Sequence, residues 1–490
     1  MKIALIHKRI YFDEGAKGLL IILFLGQLFF TNGGYLFFGT LCLGICLYNL
    51  QQPLKPSVFT IIFIYHFIQI SANIWLSNYL EKDINFRSEH SDSAILYSYI
   101  GLMALFAPII YYQNKIPDLT FDNLRKHAER LSLKKSFRAY IIAFFVANAL
   151  GGVAFVFPGL AQAIFSFINI KWFFFLLFGY QVFLKKRMVK EFVLVSAIEF
   201  VLGFLSFFSD FKTVFFFLAF LALSFIIYIK LKHLVISIFV LFALVFLGIK
   251  WTSIKGEYRS FLNQGTKSQH VGVSSEAALN KLIQLGSENT ENLKDDATYD
   301  FLDRIQYTYH LAKTMDRVPS VLPYENGGNI AKIFQFVLIP RILNPNKPRW
   351  EATVKTKKYT GLSYAGYTQG VSFSLGYFAD CYIDFGYYGM MIPLFLLGII
   401  MGGSYFYFVK HSSSNYIFNF AVVGAMFMEF NAFEMDGTFL LGRLYSTLVV
   451  FYIMKLFFFN SIYKSLKTPN AGSSGEISGL NQMVSSSTKT

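Results

Sequence analysis

PRILNPNKPRW, residues 340–350, and GYFADCYIDFGYYG, residues 376–389, belong to the longest polar stretch of a sequence that is otherwise a succession of apolar segments. The stretch extends from about Trp251 to Phe385, and another apolar segment follows it. A loop this long and this rich in Arg, Lys and Asp is typical of a segment that carries chemistry, since simple connections between helices are short.

The composition around this loop is typical of a polytopic membrane protein. Of 490 residues, 54% are hydrophobic, only 15% are charged and 58 are Phe, and the mean hydropathy is +0.46. These values lie outside the range of soluble globular proteins. The net charge of +15 would suggest nucleic-acid binding in a soluble protein. Here Lys and Arg collect in short loops, where they orient membrane proteins, so we expect no nucleic-acid partner.

We predict an all-α polytopic protein with about twelve transmembrane helices and one large extracytoplasmic loop, since a span needs roughly 20 apolar residues. The predicted spans are 17–31, 34–50, 57–78, 93–113, 138–158, 161–184, 190–208, 212–229, 232–250, 386–409, 415–431 and 437–459. Four regions follow: an N-terminal bundle of about nine spans (1–250), the large loop (251–385), three C-terminal spans (386–460) and a disordered Ser- and Gly-rich tail (461–490).

The charges of the short loops predict which side each loop faces. The loop after the fourth span, residues 114–138, has seven Lys or Arg and three acids, which indicates a cytoplasmic position. Alternation of the spans then places the large loop outside and both termini in the cytoplasm. The first span has no small-residue cleavage site after it, so we interpret it as a retained helix.

The cysteines and the familiar sequence motifs offer no metal or cofactor site. Cys42, Cys46 and Cys381 have neither zinc spacing nor a disulfide framework, and we expect them to be packing residues. The sequence contains no P-loop, HExxH or GxSxG motif. We therefore predict no metal and no cofactor.

The first candidate site is a set of cations in the large loop. Arg304 and His310 lie in a segment whose periodicity predicts a helix over residues 301–316. The short apolar stretch 330–338 is typical of a segment that lies at the membrane interface.

Arg341, Lys347 and Arg349 follow, framed by prolines that restrict the backbone. Fixed guanidinium and ammonium groups suit a diphosphate ligand. The alternative is that such cations are solvated or touch lipid headgroups, and we prefer it for Lys355, Lys357 and Lys358. Arg304 has a further alternative, since Asp300 and Asp303 are adjacent partners for a salt bridge.

The second candidate set consists of carboxylates. Asp380 and Asp384 are four residues apart and would share one face of a helix. Either could orient or deprotonate a sugar hydroxyl. Equally, both could cap or anchor the following span.

Charged residues within spans are costly and are candidates for function. Glu429, Glu434, Asp436 and Arg443 lie at the outer ends of the last two spans. We expect Arg443 to pair with Glu429 or Glu434, with substrate contact by Arg443 as the second interpretation.

A further charged pair lies near the middle of the N-terminal bundle. Lys171 and Glu199 fall in neighbouring predicted spans, the sixth and the seventh. We expect them to form a structural pair in preference to a proton relay, because a buried charge needs a partner.

The IPR–NP–KP run and the G-x-x-A-D-x-Y-x-D-F-G-x-x-G segment resemble those of O-antigen and capsule repeat-unit polymerases (Wzy-type), whose relatives include the O-antigen ligases. The resemblance covers about residues 304–402, and the remainder of the chain agrees with that family in hydropathy.

The resemblance implies a C-type membrane glycosyltransferase-like fold and a metal-independent, inverting polymerase in the bacterial cytoplasmic (inner) membrane. Donor and acceptor would be undecaprenyl-diphosphate-linked glycans, membrane lipids would surround the protein, and a regulator of chain length could be a partner. Arg304 and Arg341, with Arg349 nearby, would hold the diphosphate, while Asp380, Asp384 or His310 orients the acceptor. The alternatives are an O-antigen ligase, a lipid-linked oligosaccharide flippase or transporter and, least favoured, a scaffold.

Overall fold

Almost all regular structure in this protein is α-helix. The computed structural model describes residues 9–156, 161–205, 211–266, 271–288, 295–339, 344, 346–348, 350–364 and 372–468. The two short strands β1 (Tyr11–Phe12) and β2 (Tyr228–Ile229) pair in parallel. The predicted tail beyond Thr468 lies outside the described residues.

The helices follow the apolar runs of the sequence. In the N-terminal part they are α1 Glu14–Gly26, α2 Gly33–Leu50, α3 Val58–Tyr79, α4 Ser91–Asn114, α5 Phe121–Glu129, α6 Leu133–Val156, α7 Ala161–Ile168, α8 Ile170–Lys185, α9 Val189–Leu205, α10 Lys212–Ser224 and α11 Leu231–Leu262. In the loop and the C-terminal part they are α12 Ser275–Glu288, α13 Asp295–Ile305, α14 Thr308–Arg317, α15 Gly328–Leu338, α16 Ala352–Thr360, α17 Tyr377–Gly389, α18 Met391–His411, α19 Tyr416–Phe427, α20 Gly437–Phe457 and α21 Phe459–Leu466.

Seven helices in the described part of the chain are long and apolar enough to cross a membrane. They are Gly33–Leu50, Val58–Tyr79, Ser91–Asn114, Ile164–Lys185, Leu231–Leu262, Met391–His411 and Gly437–Phe457. Two shorter apolar helices accompany them, Lys212–Ser224 and Tyr416–Phe430. A helix also coincides with each of the other predicted spans. The all-α class is therefore confirmed, and the count of twelve spans stays a prediction.

Close packing of α4 against α18 forms the centre of the bundle. Gly398 and Gly402 lie four residues apart on α18, where a Cβ on the first would overlap the carbonyl oxygen of Leu105. A Cβ on Gly402 would come 2.9 Å from the Cα of Ile109. Small residues at this spacing allow two membrane helices to approach backbone to backbone.

Helix α11 differs from the rest because it is long and its first part stands apart from the bundle. Its most apolar 18-residue window has a mean hydropathy of 2.5, and none of that window is buried. Its last turns instead bury Ile254, Lys255, Tyr258 and Leu262, at the spacing of one helix face. The helix runs through the boundary predicted at residue 250. At 1.5 Å per residue it is about 48 Å long, so its end extends beyond a hydrocarbon core of about 30 Å.

The turns between the helices gather at two opposite ends of the bundle. We call one end the basic pole, and within it Lys55 contacts Asp118 at 3.0 Å and Lys185 donates to the carbonyl of Leu131 at 2.6 Å. It consists of residues 50–58, 114–133, 185–190, 224–231, 411–416 and 455–468. The loops predicted to be cytoplasmic all lie there. The other end, the loop pole, consists of the described residues in 26–33, 79–91, 205–212, 249–377 and 428–437.

The large loop is helical and packs onto the bundle. Helix α13 packs against α3, and α14 against both α4 and α3. The single helix predicted over 301–316 is wrong, because the chain breaks at Gln306 and Tyr307. There the Tyr307 amide donates to the carbonyl of Gln69 in α3. The Tyr307 amide thus bonds to the bundle instead of to a carbonyl of its own helix.

The pairing predicted between Lys171 and Glu199 is confirmed. The ammonium lies 2.9 Å from the carboxylate, which is 5% exposed. Tyr140 donates a second hydrogen bond to the same carboxylate at 2.8 Å. The pair joins α8 to α9, and Tyr140 adds α6, so the charges serve to connect three helices. All three cysteines are free and buried, as predicted.

Candidate functional site

Of the three proline-framed cations, Lys347 is the one that the structure describes. Arg341 and Arg349 lie outside the described residues. The ammonium of Lys347 donates to the carbonyl of Ile339 at 2.7 Å and to that of Phe336. It also lies 3.9 Å from the centre of the Phe336 ring. Lys347 therefore fastens its segment to the C-terminal end of α15, where unsatisfied carbonyls attract cations.

Asp384 caps a helix of the loop. Its carboxylate accepts hydrogen bonds from the backbone amides of Gly327 at 3.0 Å, Asn329 at 2.9 Å and Ile330 at 2.8 Å. These amides open α15, which has no side-chain cap of its own. The residue is 1% exposed. Both of its oxygens are thus committed to the N-terminus of α15, a helix of the loop, and not to the following span that the capping alternative named.

Asp380 belongs to a buried triad with Lys355 and Asp436. The ammonium lies 2.7 Å from the Asp380 carboxylate and 2.5 Å from that of Asp436. The Gly437 amide also donates to Asp380 at 2.8 Å. Asp436 in turn accepts from the Thr438 amide and caps α20. The triad therefore joins α16, α17 and the start of α20.

The prediction that Lys355 is solvated or touches lipid headgroups is wrong. Its side chain is 9% exposed. Burial opposes the charged form, but the two carboxylates outweigh burial and raise the pKa of Lys355 above its ordinary value. An ammonium that is buried with two counter-ions stays charged. By contrast, Lys357 is exposed, as predicted, and Lys358 lies 2.9 Å from Glu325.

His310 is enclosed in a stack of aromatic rings. Its ring lies 4.7 Å from that of Tyr307 and 5.7 Å from that of Tyr364, whose hydroxyl is 3.0 Å from Nε2. Burial lowers the pKa of His310 to about 4, against an opposing contribution from Asp303. The imidazole is therefore neutral at pH 7. Its Nδ1 has no hydrogen-bond partner among the described residues.

The expected ion pair of Arg443 with Glu429 or Glu434 is not formed. Glu429 accepts hydrogen bonds from Thr447 at 2.5 Å and Asn169 at 3.1 Å. Glu434 accepts from Gln69. Arg443 is exposed and has no carboxylate within 4 Å among the described residues. Neutral donors supply the hydrogen bonds that the guanidinium was expected to give, so substrate contact by Arg443 stays a prediction.

Arg304 lies in a basic cluster that the sequence analysis only partly anticipated. The residue is exposed and forms no hydrogen bond or ion pair within the described part of the chain. Asp303 does not pair with it, because that carboxylate pairs with Arg87. Three further cations lie close enough for electrostatic interaction with one another or with Arg304, and we call the four the basic cluster: Lys212, Lys255, Arg259 and Arg304.

Lys255 is the most unusual member of the basic cluster. It is 7% exposed, yet no carboxylate among the described residues lies within 4 Å of its ammonium, and the nearest acid in sequence, Glu257, pairs with Lys281. Its electrostatic neighbours are Arg304, Arg259 and Lys212, all of the same sign. A buried ammonium among like charges is costly unless an anion compensates it.

Within the part of the chain that the structure describes, the carboxylate of Glu434 shares a neighbour, Tyr65, with the basic cluster. Tyr65 in α3 interacts electrostatically with Glu434, Arg304 and Lys212, and the Lys212 ammonium lies 5.9 Å from the Tyr65 ring centre. The side chain of Gln69, one turn further along α3, fixes Glu434. Its amide donates to that carboxylate.

Gln69 also connects the elements around the site. Its side-chain oxygen accepts from the Phe433 amide at 2.7 Å, and its carbonyl accepts from the Tyr307 amide at 3.2 Å. The start of α14, the segment before α20 and helix α3 therefore meet at one residue. This holds Glu434 at a fixed position near Tyr65, which also interacts with Arg304.

Sequence reasoning missed Lys212, Lys255 and Arg259. Lys255 and Arg259 are four residues apart on the end of α11, which the sequence analysis assigned to the loop instead of to a helix. The spacing of Ile254, Tyr258 and Leu262 was the available signal, because it continues the helical period beyond the apolar run. Lys212 had no comparable signal, since its position depends on how short α10 is.

Among the described residues, no group of three or more His, Cys, Asp and Glu side chains could hold a metal ion. The candidate site therefore consists of the basic cluster, Tyr65 and Glu434. Several cations close together can bind a multiply charged anion, and a carboxylate near them can accept a proton.

A family model for a domain of unknown function, DUF8712, matches residues 59–459. The chain belongs to this family. The matched region contains the basic cluster, Glu434 and the buried triad, and it begins after α2. No curated protein and no solved structure matches the chain.

Proposed function

We propose that this protein is a membrane polysaccharide polymerase that joins undecaprenyl-diphosphate-linked oligosaccharide repeat units by glycosyl transfer on the outer side of the bacterial cytoplasmic membrane. The observation that supports a diphosphate ligand is the basic cluster, above all the buried Lys255, which has only cations as its charged neighbours. The resemblance over residues 304–402 supplies the substrate class.

Glycosyl transfer of this kind requires cations that stabilise the leaving group and a base that accepts the proton of the acceptor. The acceptor hydroxyl attacks the anomeric carbon of the donor, the bond from that carbon to the phosphate oxygen breaks, and the lipid diphosphate leaves with the bonding electrons. Arg304 and Lys255 would stabilise the negative charge that develops on the leaving diphosphate. Glu434 would accept the proton of the acceptor hydroxyl. Inversion follows from attack on the face opposite the leaving group.

This assignment moves the acid–base role away from the residues first predicted. Asp380 and Asp384 are 2% and 1% exposed and are satisfied by Lys355 and by the amides of α15. Glu434 is partly exposed and lies on the side of Arg304. A catalytic carboxylate must reach the acceptor, which favours Glu434.

The position of the cluster suits a donor that arrives through the bilayer. Gln69 lies ten residues from the outer end of α3, which is about 15 Å along a helix axis. The break between α13 and α14 contacts the bundle at that level. The loop therefore reaches down beside the spans, and a lipid-linked diphosphate would be held within the bundle, below the outer end of α3.

The orientation that we propose has twelve spans, the loop pole outside and both termini in the cytoplasm. The Lys- and Arg-rich turns of the basic pole support it, because positive loops are retained on the cytoplasmic side. Cysteine substitution at Lys357, an exposed loop residue, should give labelling by a membrane-impermeant maleimide in intact cells. Labelling only after lysis would overturn the orientation.

A deletion strain tests the function. Loss of a polymerase should leave single repeat units on the outer leaflet and no long-chain polysaccharide. A flippase deletion would trap the lipid-linked units in the cytoplasmic leaflet, and a ligase deletion would leave unattached polymer. Either of these two outcomes would replace the polymerase by the corresponding alternative.

A further inference from the structure

A second charged feature lies at the opposite end of the molecule. The basic pole contains a cavity of about 370 Å³ between the ends of α18 and α20 and helix α21. Three lysines line it, together with polar side chains. We call it the lysine pocket, and the lining residues that matter here are Lys455, Lys464, Lys467, His411, Ser414 and Asn460.

The charge of the lysine pocket is unbalanced. No Asp or Glu lines it, and none of its three lysines has a carboxylate within 4 Å in the described ranges of the chain, in contrast to Lys55 and Lys185 at the same pole. Lys455 donates to the Tyr407 hydroxyl at 3.0 Å, which fixes its position without neutralising it. Like charges that converge on an open cavity favour an anion there.

Helix α21 gives the pocket its form. The helix buries Phe459, Tyr463 and Leu466, and Tyr463 lines the cavity together with Asn460 and Lys464. The Ser132 amide bonds to the carbonyl of Leu466 at 2.8 Å. Both ends of α21 are therefore held, one by its buried aromatic ring and one by this bond.

The surface beside the pocket is apolar and exposed. Leu456 is 52% exposed, Phe457 69% and Phe458 50%, and all three follow Lys455 directly in the chain. Apolar side chains exposed in this way are unfavourable in water, and lipid acyl chains would cover them. A ligand that fits both surfaces has a charged head and apolar tails.

We propose that the lysine pocket binds the phosphate of an anionic phospholipid whose acyl chains lie against the end of α20. Lys464 and Lys467 contact the phosphate oxygens, while Ser414 and Asn460 offer hydrogen bonds to the rest of the headgroup. Pockets of this kind between helix ends are suited to lipid headgroups. A soluble phosphate would use the same cations but not the apolar surface.

Native mass spectrometry of the purified full-length protein tests this site. The probes are phosphatidylglycerol, phosphatidylcholine with the same acyl chains, and inorganic phosphate. Phosphatidylglycerol should be retained preferentially, and the double variant Lys464→Gln/Lys467→Gln should lower its retention about 30-fold, since each lysine contributes about 1 kcal/mol. The matched control is Lys186→Gln/Lys190→Gln, two exposed lysines of the same pole outside the pocket.

Three outcomes would overturn the proposal. Equal retention of the two lipids would remove the preference for an anion. An equal loss in the control variant would show that the total charge of the pole matters and that the pocket does not. Competition by inorganic phosphate without retention of phosphatidylglycerol would assign the pocket to a soluble anion. The measured unfolding temperature of each variant in detergent shows whether the fold is intact.

Discussion

The buried triad and the basic cluster are both at the loop pole, and both bury a lysine, but they differ in the partners of that lysine. Lys355 lies between two carboxylates at 2.7 and 2.5 Å. Lys255 has only cations as charged neighbours. A buried charge with its counter-ions present is part of the architecture, whereas for Lys255, which has none, we propose that a ligand supplies the counter-ion.

The buried triad and the basic cluster also connect different helices. The triad and the Asp384 cap join α15, α16, α17 and α20, and they fix the loop to the C-terminal spans. The basic cluster lies where α10, the end of α11, α13 and α3 meet. One region maintains the loop, and the other leaves charge available beside Glu434.

The largest expected effect comes from removing the charge of the basic cluster. The double variant Arg304→Ala/Lys255→Met should reduce chain growth by at least about 1000-fold, since losing one stabilising donor costs about 100- to 1000-fold. The length distribution of the polysaccharide on gels measures this. The control Lys357→Ala removes an exposed cation of another loop helix and should have no effect. Polysaccharide of normal length in the double variant would contradict a functional role for the basic cluster.

Removing the charge of the triad should damage stability instead. Lys355→Met leaves two buried carboxylates uncompensated, and we expect it to destabilise the protein by about 3–5 kcal/mol. The unfolding temperature in detergent and the amount of protein in the membrane measure this. Asp436→Asn is the matched control, because Asn also caps a helix and the Lys355–Asp380 pair stays. An equally stable Lys355→Met variant would contradict a structural triad.

A smaller effect, confined to turnover, is expected at Glu434. Glu434→Gln should lower the polymerisation rate by about 100-fold, because a positioned general base contributes at least that much. Donor binding and protein level should be unchanged, since Gln keeps a side-chain oxygen that can accept from the Gln69 amide. A fall in donor affinity with an unchanged rate would make Glu434 a binding residue.

The smallest effect is a pH dependence at the surface of the loop. Hydrogen bonds from Tyr359 at 2.5 Å and Lys358 at 2.9 Å, with Lys332 also in contact, lower the pKa of Glu325 to about 2 from an ordinary 4.5. The ionised form therefore stabilises the fold above pH 4.5, and this contribution declines as the pH falls toward 2. Glu325→Gln should lower the unfolding temperature slightly at pH 7, and the difference from the wild type should shrink below pH 4.5. A difference in unfolding temperature that does not change with pH would contradict this role of the ionised Glu325.

The sequence predicted the helices well, because apolar runs and the 3.6-residue period are local properties. It also predicted the Lys171–Glu199 pair, which depends on neighbouring elements. Lys355 was misjudged since its two carboxylates come from α17 and the start of α20, far away in the chain. Lys255 was missed because its burial depends on α11 continuing past its apolar part. Charge pairing between distant segments leaves no local pattern to recognise.

The most direct test is the affinity of the purified protein for undecaprenyl diphosphate, measured in nanodiscs of zwitterionic lipid to leave the lysine pocket unoccupied by anionic lipid. We expect the wild type and Lys464→Gln/Lys467→Gln to bind equally well, and Arg304→Ala/Lys255→Met to bind at least tenfold more weakly. Equal affinity in all three proteins would contradict a diphosphate site at the basic cluster.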